Sequence, residues 1–258
     1  MSSLFDKFLS ALFPRRCPVC GEWTDSATPR LCRQCADVLA GEYDRPCPVC
    51  QKKAATCTCK AEALSASNIP VITLGFYEPC NTNAVSSRLV FALKHSADDA
   101  AAHVLARDLA GTILKEFLPT GEDVRTWTIT NVPRSVSGYE KNGFDQAQRL
   151  AKLCARYCGT RYKRIFRRHG GDTQKELTAK DRRANAVASL RLLHPRRAYT
   201  GKYIVIDDVL TTGATLGECA DLLRIRGAES VCIAAALKTV SRPSGQELWY
   251  AQTGKNSQ

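Results

Sequence analysis

A short segment of the chain combines carboxylates, hydroxyl groups and a glycine at spacings that suit phosphate chemistry. In IVIDDVLTTGATL, residues 204–216, an apolar run ends in Asp207 and Asp208, and a helical pattern follows. Between them lie the small residues Thr211, Thr212, Gly213, Ala214 and Thr215. Because a helix N-terminus presents unpaired N–H groups and partial positive charge, small residues there let the backbone surround an anion, and threonine hydroxyls add donors. We expect this loop to hold a monophosphate.

The adjacent carboxylates indicate a sugar beside that phosphate. Asp207 and Asp208 would repel the phosphate itself, so we expect them to accept hydrogen bonds from sugar hydroxyls or to hold a metal-bound water. A phosphate next to a diol indicates a phosphorylated ribose. The pair also fits the acidic strand end of a nucleoside triphosphatase, but the chain has no G-x-x-x-x-G-K-[ST] segment to hold a triphosphate. An ordinary strand, turn and capped helix would explain Thr215 as an N-cap but not the two acids.

The same segment resembles the phosphoribosyl pyrophosphate motif of type I phosphoribosyltransferases. The resemblance implies that Asp207 and Asp208 bind the ribose 2′ and 3′ hydroxyls and that residues 211–215 bind the 5′-phosphate. It also implies Mg²⁺, bound together with phosphoribosyl pyrophosphate. In such an enzyme pyrophosphate leaves C1′ and a nitrogen nucleophile adds without a covalent bond to a side chain, and the sequence identifies no catalytic residue.

Alternating apolar runs and amphipathic stretches surround this motif. VITLGFY, TWTITNVP, KYIVIDDV and VCIAAAL have the composition of strands, and NAVSSRLVFALKHS, AAAHVLARDLAGTILKEFL, GFDQAQRLAKLCARYCGT and TLGECADLLRIRG have helical spacing. This alternation predicts an α/β fold with a parallel sheet, whose ligands collect beyond the carboxyl ends of the strands. We predict a phosphoribosyltransferase-like domain over 66–242 and a loose tail over 243–258.

The start of the chain contains eight of its 13 cysteines. They lie in CPVC, CRQC, CPVC and CTC, as Cys17, Cys20, Cys32, Cys35, Cys47, Cys50, Cys57 and Cys59. Two Cys-x-x-Cys turns complete a tetrahedral four-thiolate shell for Zn²⁺, which we predict for the first four. The second set ends in a shortened Cys-x-Cys, so a second zinc site and a cross-braced pairing of alternate turns both stay open. A closed all-cysteine shell predicts structural zinc in a small zinc-ribbon-like domain over 1–65.

The chain is basic, with 37 Lys and Arg against 25 Asp and Glu and a formal net charge of +12, so polyanions or phosphorylated molecules are the expected partners. In VPRSVSGYEK, Arg134 and Lys141 flank a loop that in the transferase resemblance holds pyrophosphate; a solvated loop is the alternative. A second stretch, residues 161–183, interleaves nine cations with Tyr162 and Phe166. Such a stretch can contact single-stranded DNA, although a solvated charged face is the commoner meaning.

A wider resemblance covers almost the whole chain. The cysteine-rich start, ALKHS, NVPRSVSGYEKNGFDQAQRLA, TQKELTAKDRRANA and the phosphoribosyl motif follow in the order of the ComF family, whose members are associated with DNA uptake and natural transformation. The resemblance implies binding of phosphoribosyl pyrophosphate or a nucleotide and partners among DNA-uptake proteins. It implies either a transferase or a non-catalytic module that binds single-stranded DNA or protein. Where the family usually has Arg-Gly-Phe-Asn-Gln, this chain has Asn142 and Asp145, which predicts weaker anion binding by that loop.

The sequence also bears on the compartment. No run approaches the roughly 20 apolar residues that cross a bilayer. The apolar helical spacing of residues 4–13 lacks the basic start and the small-residue cleavage site of a signal peptide. Cysteines in such a chain favour free thiols or metal ligands in a reducing compartment. We therefore expect a cytoplasmic protein without a membrane span.

Overall fold

The structure is a computed structural model, and it describes residues 15–24, 30–59, 61–78, 81–95, 99–134, 139, 143–168 and 189–239. In chain order the strands and helices are β1 (Arg15–Arg16), β2 (Trp23–Thr24), α1 (Arg33–Asp44), β3 (Val71–Phe76), α2 (Val85–His95), α3 (Ala100–Phe117), β4 (Thr128–Asn131), α4 (Gln146–Cys158), β5 (Arg161–Tyr162), β6 (Phe166–Arg168), β7 (Leu190–Leu192), β8 (Gly201–Leu210), α5 (Ala214–Ile225) and β9 (Ala228–Lys238). A short 3₁₀ turn, Glu62–Leu64, follows the last cysteine of the head.

Five of these strands form one sheet in the order β3-β9-β8-β4-β5. Every neighbouring pair is parallel, so all five carboxyl ends lie along one edge. Residues 203–206 of β8 and 231–238 of β9 are buried without interruption, as expected for parallel strands covered on both faces. The α/β fold with a parallel sheet that the sequence predicts is confirmed.

Two hydrophobic clusters cover the two faces of the sheet. On one face, buried residues of α2, α3 and α4 pack with Ile204 and Ile206. On the other face, α5 and the antiparallel β6–β7 pair pack with Tyr203 and Val205. Because side chains alternate along a strand, β8 contributes its even-numbered residues to the first cluster and its odd-numbered residues to the second over 203–206. This alternation decides which way the residues after Ile206 point.

The cysteine-rich head packs on the first of these clusters. Cys17, Cys35 and Leu39 belong to the same buried cluster as α2 and α3. Glu42, near the end of α1, accepts hydrogen bonds from the backbone N–H groups of Val85 and Ser86, both at 2.8 Å. The carboxylate thereby caps the N-terminus of α2, where unpaired N–H groups and the helix dipole favour a negative charge. The head and the sheet share one packed interior on this face.

The predicted strands and helices are present, with shifted ends. β8 continues to Leu210, so Asp207 and Asp208 lie within the strand rather than at its tip, and α5 begins at Ala214, so Thr215 is already helical. The sequence patterns did not predict α1. They also did not predict the strands of two or three residues, because such strands are too short to show periodicity. The domain limits at 65 and 242 stay predictions, and the tail at 243–258 lies outside the described residues. Among the helices that the structure describes, none is long and apolar enough to cross a membrane.

Candidate functional site

The loop between β8 and α5, residues 211–215, lies at the carboxyl edge of the sheet and is called the candidate phosphate loop. Gly213 has a left-handed backbone with φ of 77°, a conformation that glycine adopts without strain. Within the described part of the chain, no group accepts a hydrogen bond from the backbone N–H groups of these five residues. Unpaired N–H groups at a helix N-terminus attract an anion. Their assignment to a phosphate stays a prediction.

The two aspartates point to opposite faces of β8. Asp208 continues the face of Ile206 and is buried, with 7% of its surface exposed, whereas Asp207 continues the face of Val205 and is half-buried. Each carboxylate accepts a hydrogen bond from the next residue in the chain. The Asp208 N–H donates to Asp207 Oδ1 at 2.9 Å, and the Val209 N–H donates to Asp208 Oδ1 at 2.8 Å. Burial and the neighbouring charge of Asp208 raise the pKa of Asp207 well above its usual value.

Each aspartate has a cation on its own face of the sheet. Lys94 Nζ, near the end of α2, lies 3.3 Å from Asp208 Oδ2. Arg168, at the end of β6, donates from Nε to the Pro133 carbonyl at 2.8 Å. Burial lowers the pKa of Arg168, and the charge of Asp207 is among the negative charges that oppose this shift. No sequence pattern indicates that Lys94 reaches an acid so far along the chain, although Lys94 lies in the ALKHS segment of the ComF resemblance.

The 3₁₀ turn Glu62–Leu64 packs directly on the candidate phosphate loop. The Ala63 N–H donates to the Thr212 carbonyl at 3.0 Å. Leu64 is 1% exposed and lies against the loop glycine, so that a Cβ on Gly213 would be 2.8 Å from Leu64 Cγ. One helical turn later, a Cβ on Gly217 would be 3.3 Å from Leu64 Cδ2. Two glycines therefore admit this leucine, which sequence analysis missed because a single leucine in a linker has no periodic signal.

Asp145 has a structural role at the start of α4. It is the N-cap of this helix, and its Oδ1 accepts a hydrogen bond from the Gln148 N–H at 2.9 Å. Its Oδ2 accepts a second one from the Arg134 N–H at 3.1 Å. Asparagine and aspartate cap helices about equally well, because each offers one oxygen to the first-turn N–H groups. Asp145 therefore keeps the capping role that the family's asparagine could fill, and the weaker anion binding expected from its charge stays a prediction.

Arg134 is held by the same helix start. Its guanidinium donates to the Phe144 carbonyl at 3.2 Å and to the side chain of Gln146. Among the described residues, these hydrogen bonds connect Arg134 with α4 and none connects it with the candidate phosphate loop. Lys141 and Asn142 lie outside the described residues, so their predicted part in pyrophosphate binding stays a prediction.

The eight cysteines of the head form two groups of four. Cys17, Cys20, Cys32 and Cys35 make the first group and Cys47, Cys50, Cys57 and Cys59 the second, with the sulfurs of each group within 4.8 Å of one another. The Cys20 and Cys32 sulfurs are 3.5 Å apart, and the Cys47 and Cys59 sulfurs are 3.8 Å apart. A tetrahedral metal with bonds of about 2.3 Å places its sulfurs about 3.8 Å apart. Both groups can therefore hold a metal ion, and the groups follow chain order rather than the cross-braced pairing.

Backbone N–H groups in the cysteine turns favour the thiolate form of Cys17 and Cys50. Burial raises the pKa of the Cys17 thiol, but hydrogen bonds from backbone groups, including those of Cys20 and Cys32, outweigh burial and hold this pKa at about 7. In the second group, a hydrogen bond from the backbone of Lys52 is the main cause that lowers the pKa of Cys50 to about 6. The thiolate is the form of cysteine that binds a metal, so the turn backbone suits these sulfurs to a cation.

The second cysteine group touches the end of the central sheet. Lys238, the last residue of β9, is 5% exposed, and its Nζ lies 3.5 Å from the Cys59 carbonyl oxygen. Burial raises the pKa of Cys57, while the hydrogen bond and charge of Lys238 oppose that shift. Lys238 is also the partner of Leu210 in the β8–β9 register. One buried lysine thus connects the cysteine group with the strand end that precedes the candidate phosphate loop.

The basic stretch at 161–183 divides in the structure. Arg168 lies near Asp207, as described above. Lys163 and Arg164 are exposed and line a separate cleft. Phe166 is 1% exposed and belongs to the core, so it is not available for the contact with single-stranded DNA that the sequence predicts for this stretch. The remaining cations of the C-terminal part, Lys175, Lys180, Arg182 and Arg183, lie outside the described residues.

Comparison with known proteins agrees with this architecture. Residues 122–256, just over half of the 258-residue chain, match the phosphoribosyl transferase domain family. The DNA utilization protein YhgH of Escherichia coli O157:H7 is 30% identical over 232 residues, which cover 82% of this chain and 98% of that protein. Competence protein F of Haemophilus influenzae is 32% identical over 97 residues, or 35% of this chain and 41% of that protein. A solved glutamine phosphoribosylpyrophosphate amidotransferase from B. subtilis aligns with a TM-score of 0.35 and 16% identity over 57% of this chain and 30% of that chain.

The parallel sheet and the family match over residues 122–256 identify a phosphoribosyl transferase domain. A head with two four-cysteine groups precedes this domain. With relatives that match both parts of the chain, the protein belongs to the ComF family. The family resemblance drawn from the sequence motifs is confirmed.

Proposed function

We propose that this chain binds phosphoribosyl pyrophosphate, or a nucleotide with the same ribose 5′-phosphate, between its acidic pair and the candidate phosphate loop. One observation carries the proposal: the N–H groups of residues 211–215, which have no acceptor among the residues that the structure describes, come shortly after Asp207 and Asp208 at the carboxyl edge of the sheet. A phosphate held by these N–H groups would leave its sugar beside the carboxylates. Parallel α/β sheets bind their ligands at this edge.

Different residues of the site would bind different parts of the ligand. The backbone of residues 211–215 binds the 5′-phosphate, with the hydroxyls of Thr211, Thr212 and Thr215 as further donors. The carboxylates of Asp207 and Asp208 accept hydrogen bonds from the ribose hydroxyls. Lys94 balances the charge of the buried Asp208, which keeps that carboxylate in place. Carboxylate and pyrophosphate oxygens are the ligands that Mg²⁺ prefers, and the cation would neutralise the pyrophosphate.

We propose Zn²⁺ as the metal of both cysteine groups. Four thiolates at tetrahedral spacing fill the coordination shell of Zn²⁺ and leave no position for a reacting water. The zinc is therefore structural. Because the head has few large apolar side chains of its own, metal binding supplies part of its folding free energy.

The relatives support a role in the handling of DNA. They are called DNA utilization protein and competence protein F, and we place the sugar-phosphate site of this chain in DNA uptake, with DNA-uptake proteins as partners. A reducing cytoplasm would keep the eight thiolates available for metal. Phosphoribosyl transfer to a nitrogen acceptor is the activity that such a site supports. The alternative is a non-catalytic module that holds the same ligand.

Titration calorimetry of phosphoribosyl pyrophosphate with Mg²⁺ into the zinc-loaded chain tests the proposal. We expect saturable binding by the unmodified protein and at least a tenfold weaker affinity for Asp207→Asn/Asp208→Asn, about 1.4 kcal/mol or more. Asp37→Asn/Asp221→Asn is the matched control, because it makes the same substitution at two exposed carboxylates away from the loop. No binding by the unmodified chain, or equal losses in the two variants, would contradict the proposal. Release of pyrophosphate in the presence of nitrogen acceptors then separates a transferase from a binding module.

A further inference from the structure

The second cysteine group lies beside the strand end that precedes the candidate phosphate loop. Lys238, the last residue of β9, has its Nζ 3.5 Å from the Cys59 carbonyl oxygen, and Lys238 pairs with Leu210 in the β8–β9 register. Leu210 directly precedes the loop. The 3₁₀ turn Ala54–Thr56, between the two cysteine pairs of this group, contacts β3, the other neighbour of β9. The group is thus attached to the part of the sheet that carries the loop.

Two connections lead from this group to the loop. The first runs along the chain: Leu64 follows Cys59 by five residues, and the preceding Ala63 donates its N–H to the Thr212 carbonyl at 3.0 Å. The second runs through the end of β9, where the Thr239 N–H donates to the carbonyl of the last residue of β8 at 2.9 Å. A displacement of the cysteine group would therefore reach the loop at two points.

Leu64 supports the glycine of the loop. It is 1% exposed and belongs to the cluster on the face of the sheet that α5 covers. A Cβ on Gly213 would be 2.8 Å from Leu64 Cγ, so the loop backbone lies directly on this side chain. The conformation of the loop backbone sets the direction of the N–H groups that would face a phosphate. When these groups are held in place before the ligand arrives, binding does not have to order them, and the affinity is higher.

The position of Leu64 depends on the cysteine group, because residues 47–59 have no apolar core of their own. Val49 is the one large aliphatic side chain in this segment, and it is 47% exposed. A small segment of this kind obtains its folding free energy from the metal that its thiolates bind. Bound metal would therefore fix the point from which the chain continues to Leu64.

We infer that Leu64 is a positioning residue for the candidate phosphate loop, and that the second cysteine group with its metal bound holds Leu64 against the loop. Metal binding by the group and ligand binding by the loop are then coupled. By thermodynamic linkage each raises the affinity of the other by the same factor, typically about five- to 150-fold. The inference rests on the proposed function, because the coupled ligand is the sugar phosphate proposed for this loop.

The first cysteine group provides the matched control. Its Cys17 and Cys35 belong to the cluster on the opposite face of the sheet from Leu64. Arg88 of α2 donates to the Val19 carbonyl, between the first two cysteines of this group. Among the residues that the structure describes, no backbone hydrogen bond joins residues 17–35 to the loop. Loss of metal from the first group should therefore leave the contact of Leu64 with the loop in place.

Titration calorimetry of phosphoribosyl pyrophosphate with Mg²⁺ into the full zinc-loaded chain compares Cys57→Ser with Cys20→Ser. Each variant removes one thiolate from one group and leaves the other group intact. Metal analysis should find one zinc ion per chain in both variants. We expect about tenfold or greater weakening of ligand binding for Cys57→Ser and less than about threefold for Cys20→Ser.

Variants of Leu64 test the contact without touching a cysteine. Leu64→Ala should keep both zinc ions, and we expect it to weaken ligand binding by about tenfold because the loop loses its support. Leu64→Met is the conservative control, since methionine fills a similar volume. It should restore the affinity to within about threefold of the unmodified chain. Far-UV circular dichroism at the temperature of the titration checks that each variant is folded.

The reverse measurement gives a readout that a merely structural metal would not change. Cys20→Ser carries zinc in the second group alone, and Cys57→Ser carries it in the first. In competition with a zinc-selective chromophoric chelator, saturating phosphoribosyl pyrophosphate with Mg²⁺ should raise the zinc affinity of Cys20→Ser by about tenfold, the same factor as in calorimetry. The zinc affinity of Cys57→Ser should change by less than about threefold.

The outcomes separate this inference from the proposed function. Equal weakening in the two cysteine variants, full affinity in Leu64→Ala, or a zinc affinity of Cys20→Ser that the ligand leaves unchanged would each overturn the inference while the ligand still binds. No binding by the unmodified chain would overturn the proposed function instead. Hydrogen exchange of the Ala63 N–H, followed by NMR, needs no ligand. It should be about tenfold faster in Cys57→Ser than in Cys20→Ser, and equal rates would overturn the hold of the metal on the loop.

Discussion

The contact between Leu64 and Gly213 gives a prediction whose magnitude follows from the structure. Gly213 has a φ of 77°, and a Cβ there would lie 2.8 Å from Leu64 Cγ and 3.1 Å from the Ala61 Cβ. An alanine pays roughly 1–2 kcal/mol for the left-handed backbone. Overpacking against a buried side chain costs about 1–3 kcal/mol more. We therefore expect Gly213→Ala to lower the free energy of unfolding by about 2–5 kcal/mol.

A double-mutant cycle separates the two causes. Leu64→Ala alone should cost about 2–5 kcal/mol, because it removes a buried side chain. In that background the new methyl group of Gly213→Ala enters the vacated space, so the backbone cost of about 1–2 kcal/mol remains, together with the smaller contact with Ala61. The two substitutions should then couple favourably by about 1–3 kcal/mol. Urea unfolding of the zinc-loaded chain, followed by far-UV circular dichroism and by tryptophan fluorescence, measures all four free energies.

One result would refute this reasoning. If Gly213→Ala costs the same in both backgrounds to within about 0.5 kcal/mol, Leu64 does not press on the loop in solution. Gly159→Ala is the control for the backbone cost, because Gly159 has a φ of 69° and its nearest neighbour to a new Cβ is 3.8 Å away. Gly159→Ala should therefore lower the free energy of unfolding only by the left-handed backbone cost of about 1–2 kcal/mol.

Three further predictions concern the acids and the second cysteine group. Asp207 has a raised pKa in the folded chain, so above the ordinary value of about 4 the unfolded chain releases this proton first and stability falls as pH rises; urea midpoints should therefore show Asp207→Asn gaining on the unmodified chain as pH rises from about 4, and a constant difference would count against it. Asp145→Asn should change the unfolding free energy by less than about 0.5 kcal/mol, whereas Asp145→Ala should cost about 1 kcal/mol through loss of the cap, and equal losses would contradict the capping role. Cys57→Ser should reduce the zinc content from two ions to one per chain, as measured by metal analysis, and loss of both ions would show that the two groups are not independent.

The parts of the fold that are local in sequence could be predicted. The apolar run before Asp207 and the helical spacing after Thr215 predict a strand, a loop and a helix, and the spacing of the cysteines predicts their first group. These patterns work because the residues that interact are near one another in the chain. The second cysteine group cannot be predicted in this way, because its shortened Cys-x-Cys has no standard turn geometry. Only the fold shows that these four sulfurs lie together.

Contacts between distant segments could not be predicted. Leu64 against Gly213, Lys94 beside Asp208 and Glu42 at the start of α2 each join residues that no local pattern links. The capping role of Asp145 could not be predicted either, because the sequence does not show which residue begins α4. A carboxylate at a helix start is stabilised by N–H groups there, which adds a structural role to the charge that the sequence shows.

The short segment from Cys59 to Leu64 has a consequence for which mutations this protein can tolerate during evolution. Cys59 is held by the second cysteine group, and Leu64 is held by the glycines of the loop and the helix after it. Because both ends of this segment are held, its length is constrained. Its residues can be substituted, but an insertion or a deletion would displace either Cys59 or Leu64. We expect related chains to differ in the identity of residues 60–63 but to keep the same number of residues between Cys59 and Leu64. Evolution would then conserve the length of this segment rather than its sequence.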